Sequence, residues 1–355
     1  MVHSEQKLPL VVSPDKNNQR QSTPDSLLAW VSDNRAWIHH GLLTHGALLF
    51  RGFSFSRPGE FEKLVTLMEG SLLSYTGGTL KRPRESGKIY NVSHVPNYFK
   101  IRLHQEMSYM PSFPGKLFFF CMTPAQTGGE TILADAREIF QRLDPALKQR
   151  MVDRGVMYVR NLRPKNLILR SLLQLLNVEF LRDWTETFET EDRREVEAFC
   201  GNQHIQVRWK ENGWLRLSNV LPATRVHPQT GDQVWFNQAH NFHFNRRMGV
   251  IYRLVRLYRW KPQEFPVHCF YGDGSPIAEE DIFHIQDVMD RCSYYHKWQT
   301  GDILVVDNIL VCHGRSPFKG HRKILVAMTE PVDSITSRAN ATQTSRVESS
   351  CDTAP

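Results

Sequence analysis

Short apolar runs, each closed by glycine, proline or another turn residue, recur along most of the chain. They include ALLFRGF at residues 47–53, KLFFFCM at 116–122 and GDILVVDN at 301–308. Runs of this length between turn residues are typical of buried strands. The same pattern predicts further strands at KIYNV (88–92), ETILA (130–134), QVWFNQ (233–238) and RKILVAMT (322–329), and a hairpin around ENG in HIQVRWKENGWLRLS (204–218).

Helical spacing of apolar residues interrupts this strand pattern. It predicts helices at 26–46, ending at Gly46, and at 59–69, 138–155 and 279–292. A charged, helix-prone segment at about 162–202 has the character of an insertion. Such a segment either closes over a site as a lid or presents a solvated helical face, and the sequence leaves both open.

Many short strands with inserted helices predict a mainly β fold class, built on a β-sandwich or jelly roll. Residues 1–25 and 331–355 are rich in Ser, Thr, Gln, Asn and Pro, so both are predicted to be loosely ordered tails. Residues 26–330 are then predicted to form a single domain that contains the insertion at 162–202.

Composition narrows the class of protein. The chain has 355 residues, 41% hydrophobic and 11% aromatic, which is enough for a large core. No stretch reaches the roughly 20 uncharged apolar residues that a membrane span needs, and the start MVHSEQKLPL lacks the apolar core of a signal peptide. The six cysteines are scattered and form no CxxC motif, which favours reduced thiols and a cytoplasmic location.

The formal net charge of +7 does not by itself indicate nucleic-acid binding. Basic and acidic residues are interspersed, and no zinc-finger, basic-zipper or RRM motif is present. We therefore expect a small-molecule partner and neither a nucleic acid nor a membrane. The sequence gives no indication of the oligomeric state.

One pair of polar residues, His104 and Glu106, lies just before one of the most hydrophobic runs of the chain. The 15 histidines and 37 acids predict about 1.6 His-x-acid pairs by chance, so the pattern alone is weak. A second pair, His3 and Glu5, lies in the polar N-terminal segment, where nothing would fix its geometry. In an extended strand, residues two apart project to the same face, so His104 and Glu106 could hold one ion.

A single histidine, His313, follows an apolar run near the end of the chain and precedes a turn. Two histidines and one carboxylate form the facial triad that binds Fe(II) and leaves positions open for other ligands. Zinc is the competing ion, but structural zinc sites are closed by four ligands and usually include thiolates. Cys312 adjoins His313, and neighbouring strand residues face opposite sides, so Cys312 is not expected to join the site.

These motifs, in this order, resemble the TauD/TfdA family of Fe(II)/2-oxoglutarate-dependent dioxygenases, within the clavaminate synthase-like superfamily. The resemblance covers most of the chain and is strongest to the SyrP-like branch, whose members act in specialised metabolism. It is carried by HGALLFRGF (45–53), LHQEMSYMPSFPGKLFFFC (103–121), GGETILAD (128–135), RVHPQTGDQVWFNQ (225–238), and GDILVVDNILVCHGRSPF with HRKILVAM (301–328). The resemblance implies a double-stranded β-helix core over residues 26–330.

The resemblance also implies the roles of individual residues. His104, Glu106 and His313 match the iron ligands, and Thr131 matches the threonine that helps bind the carboxylate of 2-oxoglutarate. Arg322 matches the basic partner of that carboxylate, although Lys323 stands where an arginine pair is usual, so either is a candidate. Most family members have Asp at the position of Glu106, and halogenating relatives have a small residue there.

The activity implied is oxidation of an unactivated C–H bond with Fe(II), 2-oxoglutarate and O2, releasing succinate and CO2. We expect hydroxylation of a small amino-acid-like or carrier-bound substrate; desaturation, cyclisation and epoxidation are alternatives, and a non-catalytic cupin-like binding protein is a second one. Residues considered for substrate contacts are Tyr75, Thr79, Arg82, His240 and His243, with Phe118, Phe120 and Trp235 as aromatic walls or core.

Overall fold

The computed structural model describes residues 2–3, 8–15, 22–74, 83–92, 95–166, 183–249, 252 and 261–333. Its helices are α1 Pro24–Asp33, α2 Arg35–His45, α3 Pro58–Glu69, α4 Ala136–Arg142, α5 Pro145–Arg154, α6 Trp184–Phe188, α7 Arg193–Asn202, α8 Ala239–Phe242 and α9 Glu279–Arg291. Its strands are β1 Val2–His3, β2 Leu10–Ser13, β3 Ala47–Phe50, β4 Arg84–Ser86, β5 Ile89–Asn91, β6 Ile101–His104, β7 Ser112–Thr123, β8 Thr127–Gly128, β9 Thr131–Asp135, β10 Val156–Leu162, β11 Gln206–Trp209, β12 Leu215–Leu221, β13 Thr224–Val226, β14 Gln233–Trp235, β15 Val267–Tyr271, β16 Tyr294–His296, β17 Ile303–Asp307, β18 Val311–Arg315, β19 Phe318–Lys319 and β20 Lys323–Asp333.

The largest sheet has eight strands in the order β1-β2-β3-β17-β7-β20-β5-β4. Strand β7 lies at its centre and pairs antiparallel with β17 and β20. Both faces of β7 are buried, because one face packs on the main core and the other packs against the layer that contains α1, α2 and α3. This accounts for the unbroken apolar run in β7, since a strand covered on both sides needs no alternating polar residues.

A second sheet, in the order β16-β9-β18-β6, packs against the first. Its neighbouring strands are antiparallel, and its inner residues share one hydrophobic cluster with Leu117, Phe119 and Val326 of the large sheet. Two packed sheets with inserted helices confirm the predicted mainly β fold class and its jelly-roll core.

A third sheet, β11-β12-β10-β15, extends this core. The predicted hairpin is confirmed, because β11 and β12 pair antiparallel on either side of the ENG turn. Helices α6 and α7 lie in the predicted insertion, and Trp184, Phe188 and Val196 are buried in the main core. Most other residues of α7 are exposed, so this helix presents a solvated face and packs on the core through Val196 and Cys200. Residues 167–182 lie outside the described residues.

Several predicted boundaries were wrong. Residues 10–13, predicted to belong to a loose tail, form β2, which pairs parallel with β3 and buries Val12. The helix predicted at 26–46 is two helices divided at Asn34. The second, α2, ends at His45 and is capped by Gly46, the predicted stop, in the left-handed conformation. Pro145 begins a new helix and so divides the one predicted at 138–155.

The C-terminal boundary also differs slightly, because β20 continues to Asp333, beyond the predicted limit of 330. Residues 334–355 lie outside the described residues. Among the helices that are described, none is both long and apolar enough to cross a membrane.

Candidate metal centre

His104 is the last residue of β6, and Glu106 lies in the turn that follows it. The expectation that both residues share one face of a regular strand was therefore wrong. The turn reverses the chain sharply enough to place Met107 at a positive φ of 57°. This turn, rather than strand alternation, directs the Glu106 carboxylate back toward the His104 ring.

His313 joins this pair from β18, where it lies directly opposite His104 in the β6–β18 ladder. Oε2 of Glu106 is 3.9 Å from Nε2 of His104 and 3.7 Å from Nε2 of His313. The two imidazole rings have centroids 4.3 Å apart. The fold thus brings together the three side chains that the sequence selected, and Glu106 and His313 are buried.

The donor set suits a divalent transition metal. One ligand atom from each of the three side chains lies within 4.8 Å of the others. Two atoms that each lie about 2.1 Å from one ion are at most about 4.2 Å apart, so both carboxylate–imidazole distances fit a shared ion. Cys312 is not in this cluster, as predicted, and burial raises the pKa of its thiol.

A hydrogen bond fixes which nitrogen of His104 faces the cluster. Nδ1 of His104 lies 2.9 Å from the carbonyl oxygen of Arg102, and a carbonyl can only accept. Nδ1 therefore carries the proton, and Nε2 presents its lone pair toward Glu106. This is the usual arrangement of a metal-binding histidine, whose second nitrogen is held by a neighbouring acceptor.

Asn308 clamps the backbone of Glu106 and was missed in the sequence. The Glu106 N–H donates to Oδ1 of Asn308 at 2.7 Å, and Nδ2 of Asn308 donates to the Glu106 carbonyl at 3.0 Å. The same Nδ2 donates to the carbonyl of Pro114 at 2.7 Å. Asn308 is fully buried, so these bonds are shielded from water and hold the turn rigidly.

Three further side chains support the same region. Nε2 of Gln105 donates to the carbonyl of Trp235, and Nε2 of Gln238 donates to the carbonyl of Gln105. The ring of His240 donates to the carbonyl of Leu103, directly before His104. Burial lowers the pKa of His240 to about 4, so its ring is neutral at neutral pH.

The two histidines considered for substrate contact are thus buried supporting residues. His240 holds β6 in place, and Nε2 of His243 lies 3.1 Å from the carbonyl oxygen of Ile277. Tyr75, Thr79 and Arg82 lie outside the described residues.

The aromatic residue that faces the cluster is Phe119. Its ring centroid is 5.4 Å from that of His313, and its side chain belongs to the core between the sheets. Phe118 and Phe120 point to the other face of β7, where they pack toward helices α1 to α3. Of the two roles considered for them, core packing is therefore the one observed, and they form no wall of the site. Trp235 is fully buried in the main core.

Thr131 and Arg322, the residues that the resemblance connects with 2-oxoglutarate, lie near each other through the GGET turn. Nε of Arg322 donates to the carbonyl of Gly129 at 3.1 Å. The hydroxyl of Thr131 accepts a hydrogen bond from Nε1 of Trp298 at 3.0 Å, which leaves its own hydrogen free to donate elsewhere. Trp298 is a second supporting residue that the sequence did not indicate.

The environment of Arg322 distinguishes it from Lys323. Nζ of Lys323 forms an ion pair with Oε1 of Glu85, a residue of β4, at 2.6 Å. Within the described parts of the chain, no carboxylate forms an ion pair with Arg322. Burial, and then the nearby charge of Arg315, lower the pKa of Arg322 to about 10, so the guanidinium still carries its charge at neutral pH.

Two sheets that enclose two histidines and one carboxylate define the class of non-haem iron oxygenases. The sequence model of the taurine catabolism dioxygenase TauD, TfdA family matches residues 16–329. The chain therefore belongs to the TauD/TfdA family of Fe(II)- and 2-oxoglutarate-dependent dioxygenases. The alternative of a non-catalytic binding protein loses its support.

Individual relatives agree with this assignment. The dapdiamide synthesis protein DdaC of Enterobacter agglomerans is 33% identical over 337 residues, covering 94% of this chain and 96% of the relative. A clavaminate synthase-like protein of Arabidopsis thaliana is 28% identical over 291 residues, covering 80% and 81%. The crystal structure of the PvcB protein of Pseudomonas aeruginosa has the same fold, with a TM-score of 0.50, 14% identity, and coverage of 92% and 89%.

Proposed function

We propose that the protein hydroxylates a small amino-acid-like or carrier-bound substrate in specialised metabolism, with release of succinate and CO2. The observation that carries this proposal is the convergence of His104, Glu106 and His313 within 4.8 Å between the two sheets. These three residues would hold Fe(II). The relative named for dapdiamide synthesis supports a role in specialised metabolism.

The protein contributes positioning and shielding. Arg322 would bind a carboxylate of 2-oxoglutarate through charge-assisted hydrogen bonds, and Thr131 would donate its hydroxyl hydrogen to the same group. Lys323 is the weaker candidate because its ammonium group is already paired with Glu85. Bound iron supplies the oxidising chemistry with O2 and 2-oxoglutarate. The apolar ring of Phe119 keeps water from one side of His313.

The metal and co-substrate roles can be tested without a substrate. Fe(II) and 2-oxoglutarate, added to the metal-free protein without oxygen, should produce a weak visible charge-transfer band. The band should be absent in His104→Ala and unchanged in His40→Ala, which alters an exposed histidine of α2. A wild-type protein without the band, or an undiminished band in His104→Ala, would contradict the proposed ligands.

The reaction is tested by substrate-triggered succinate release. Free and carrier-bound amino acids are screened, and the product of any hit is analysed for added oxygen, loss of hydrogen or ring formation. Hydroxylation predicts one added oxygen with no new ring. Glu106→Ala should abolish succinate release, and normal turnover in this variant would show that Glu106 is not an essential ligand.

We also propose that the protein works in the cytoplasm. Cys121, Cys200, Cys269, Cys292 and Cys312 are free and buried, which suits a reducing compartment. Localisation of a tagged full-length chain by fractionation tests this proposal, and recovery in a secreted fraction would contradict it.

A further inference from the structure

Arg315 lies two residues beyond His313 on β18 and was not selected from the sequence. The β18–β9 ladder is regular from Val311 to Arg315, so His313 and Arg315 project to the same face. Arg315 lies opposite Thr131 in this ladder and is only 6% exposed. Arg315 therefore lies on the face of β18 that carries His313 and directly across the ladder from Thr131.

The guanidinium of Arg315 binds three backbone carbonyls of one loop. Nη1 donates to Val95 at 3.1 Å, and Nη2 donates to Pro96 and Phe99, each at 2.9 Å. The segment Val95–Phe99 leads directly into β6, which ends at His104. Its outer side is solvated, since Tyr98 is 68% exposed. The arginine thus supplies a main attachment of this segment to the sheet.

Phe318 connects Arg315 with Arg322. Cζ of Arg315 lies 5.0 Å from the centroid of the Phe318 ring, and Cζ of Arg322 lies 5.7 Å from the same centroid. The N–H of Phe318 also donates to the carbonyl of Asn97 at 2.9 Å. The loop, the shared ring and Arg322 therefore form one continuous packed unit beside the metal cluster.

Neutral groups surround the charge of Arg315 in the described part of the chain. No carboxylate of the described residues forms an ion pair with it, and the contacts to the cation are three backbone carbonyls and the face of the Phe318 ring. A planar fork with several N–H groups can reach three carbonyls at once, whereas a lysine ammonium is a point donor. An arginine at position 315 is therefore well suited to bind several carbonyls of one loop.

We propose that Arg315 is a positioning residue that fixes the segment Val95–Phe99 beside the 2-oxoglutarate site and, through Phe318, holds Arg322 in place for the co-substrate. The second part of this inference, the effect on 2-oxoglutarate binding, rests on the proposed function. Its first part, the order of the loop, holds for the protein without any ligand.

The test uses the full-length protein with Arg315→Met, Arg315→Lys and the control Arg35→Met. Arg35 donates one hydrogen bond to a backbone carbonyl, that of Leu67, far from the metal cluster. Hydrogen exchange of the metal-free proteins is measured at the amide of Phe99, which donates to Pro96. The dissociation constant of 2-oxoglutarate is then measured by anaerobic titration of the charge-transfer band with saturating Fe(II).

We expect exchange at Phe99 to accelerate about tenfold or more in both Arg315 variants, because several hydrogen bonds are lost or weakened. The dissociation constant of 2-oxoglutarate should rise about fivefold or more in both, with Fe(II) affinity and the control variant unchanged. A purely structural role would lower the unfolding temperature without this separation between 2-oxoglutarate and Fe(II). If Arg315→Met does not fold, Arg315→Lys, which keeps the buried charge, carries the test.

Unchanged exchange at Phe99 in the folded variants would overturn the proposal. Full recovery of 2-oxoglutarate affinity in Arg315→Lys while exchange stays fast would also overturn it, because charge rather than positioning would then be responsible. If the wild-type protein binds no 2-oxoglutarate, the proposed function fails, and the exchange measurement alone decides whether Arg315 fixes the loop.

Discussion

Replacing Asn308 by alanine should separate the stability of the fold from the quality of the metal site. The change removes three buried hydrogen bonds, two to the backbone of Glu106 and one to Pro114. Each buried group left without a partner costs about 1–3 kcal/mol, so we expect a loss of about 3–5 kcal/mol in the free energy of unfolding. Because Glu106 loses its fixed backbone, Fe(II) affinity should also fall about 10- to 100-fold.

The matched control is Asn161→Ala. Asn161 is also buried and donates two hydrogen bonds to backbone carbonyls, those of Gln263 and Phe265, but it does not touch the metal cluster. Urea unfolding of the metal-free proteins gives the stability of each variant, and anaerobic Fe(II) titration gives its affinity. Both variants should be destabilised, and only Asn308→Ala should lose affinity. Equal Fe(II) affinity in the two folded variants would refute the clamp.

Three further predictions concern single contacts. Trp298→Phe removes the hydrogen bond to Thr131. In the succinate assay, the KM for 2-oxoglutarate should therefore rise severalfold, while kcat changes less. An unchanged KM would count against a role for Thr131. Gly129→Ala adds a Cβ at a φ of +73° and 3.2 Å from Cδ of Arg322, so thermal stability and 2-oxoglutarate affinity should both fall, and wild-type values in both would contradict this packing. Burial lowers the pKa of His240 from 6.5 to about 4, so the unfolded chain takes up a proton at a higher pH than the folded chain does. The stability that this group contributes is complete above about pH 6.5. Between about pH 6.5 and pH 4, the free energy of unfolding falls by about 1.4 kcal/mol per pH unit. Urea unfolding at about pH 7 and 5.5 should show a smaller loss for His240→Asn than for the wild-type protein, and equal losses would argue against a neutral buried ring.

The metal cluster could be predicted from the sequence because its residue types are chemically restricted. Few combinations of side chains suit Fe(II), and His313 after a buried strand completes one with His104 and Glu106. The three predicted residues do meet in the fold, but for a partly different reason, since Glu106 lies in a turn and not in a strand. The chemistry of the side chains therefore predicts which residues form the cluster better than local periodicity predicts the backbone that brings them together.

The supporting residues could not be found in this way. Asn308 and Trp298 act through hydrogen bonds to residues that are far away in the sequence, and asparagine or tryptophan in a loop is common without any such role. Their partners are defined only when the two sheets pack together. Arg315 is similar, because its three acceptors are backbone carbonyls, which carry no signature in the sequence.

The aromatic run in β7 shows the limit of period-two reasoning. Alternation correctly places Phe118 and Phe120 on one face and Phe119 on the other, yet it cannot say which face meets the metal cluster. A strand with one solvated face would reveal its orientation through polar residues, but β7 is covered on both sides. The register is set instead by pairing with β17 and β20, which places Phe119 between Leu304 and Val326 on the inner face. Long-range pairing of strands thus decides whether an aromatic side chain shields the iron site. A substitution at Phe119 should affect the surroundings of His313, whereas the same substitution at Phe118 should affect the packing of the helical layer.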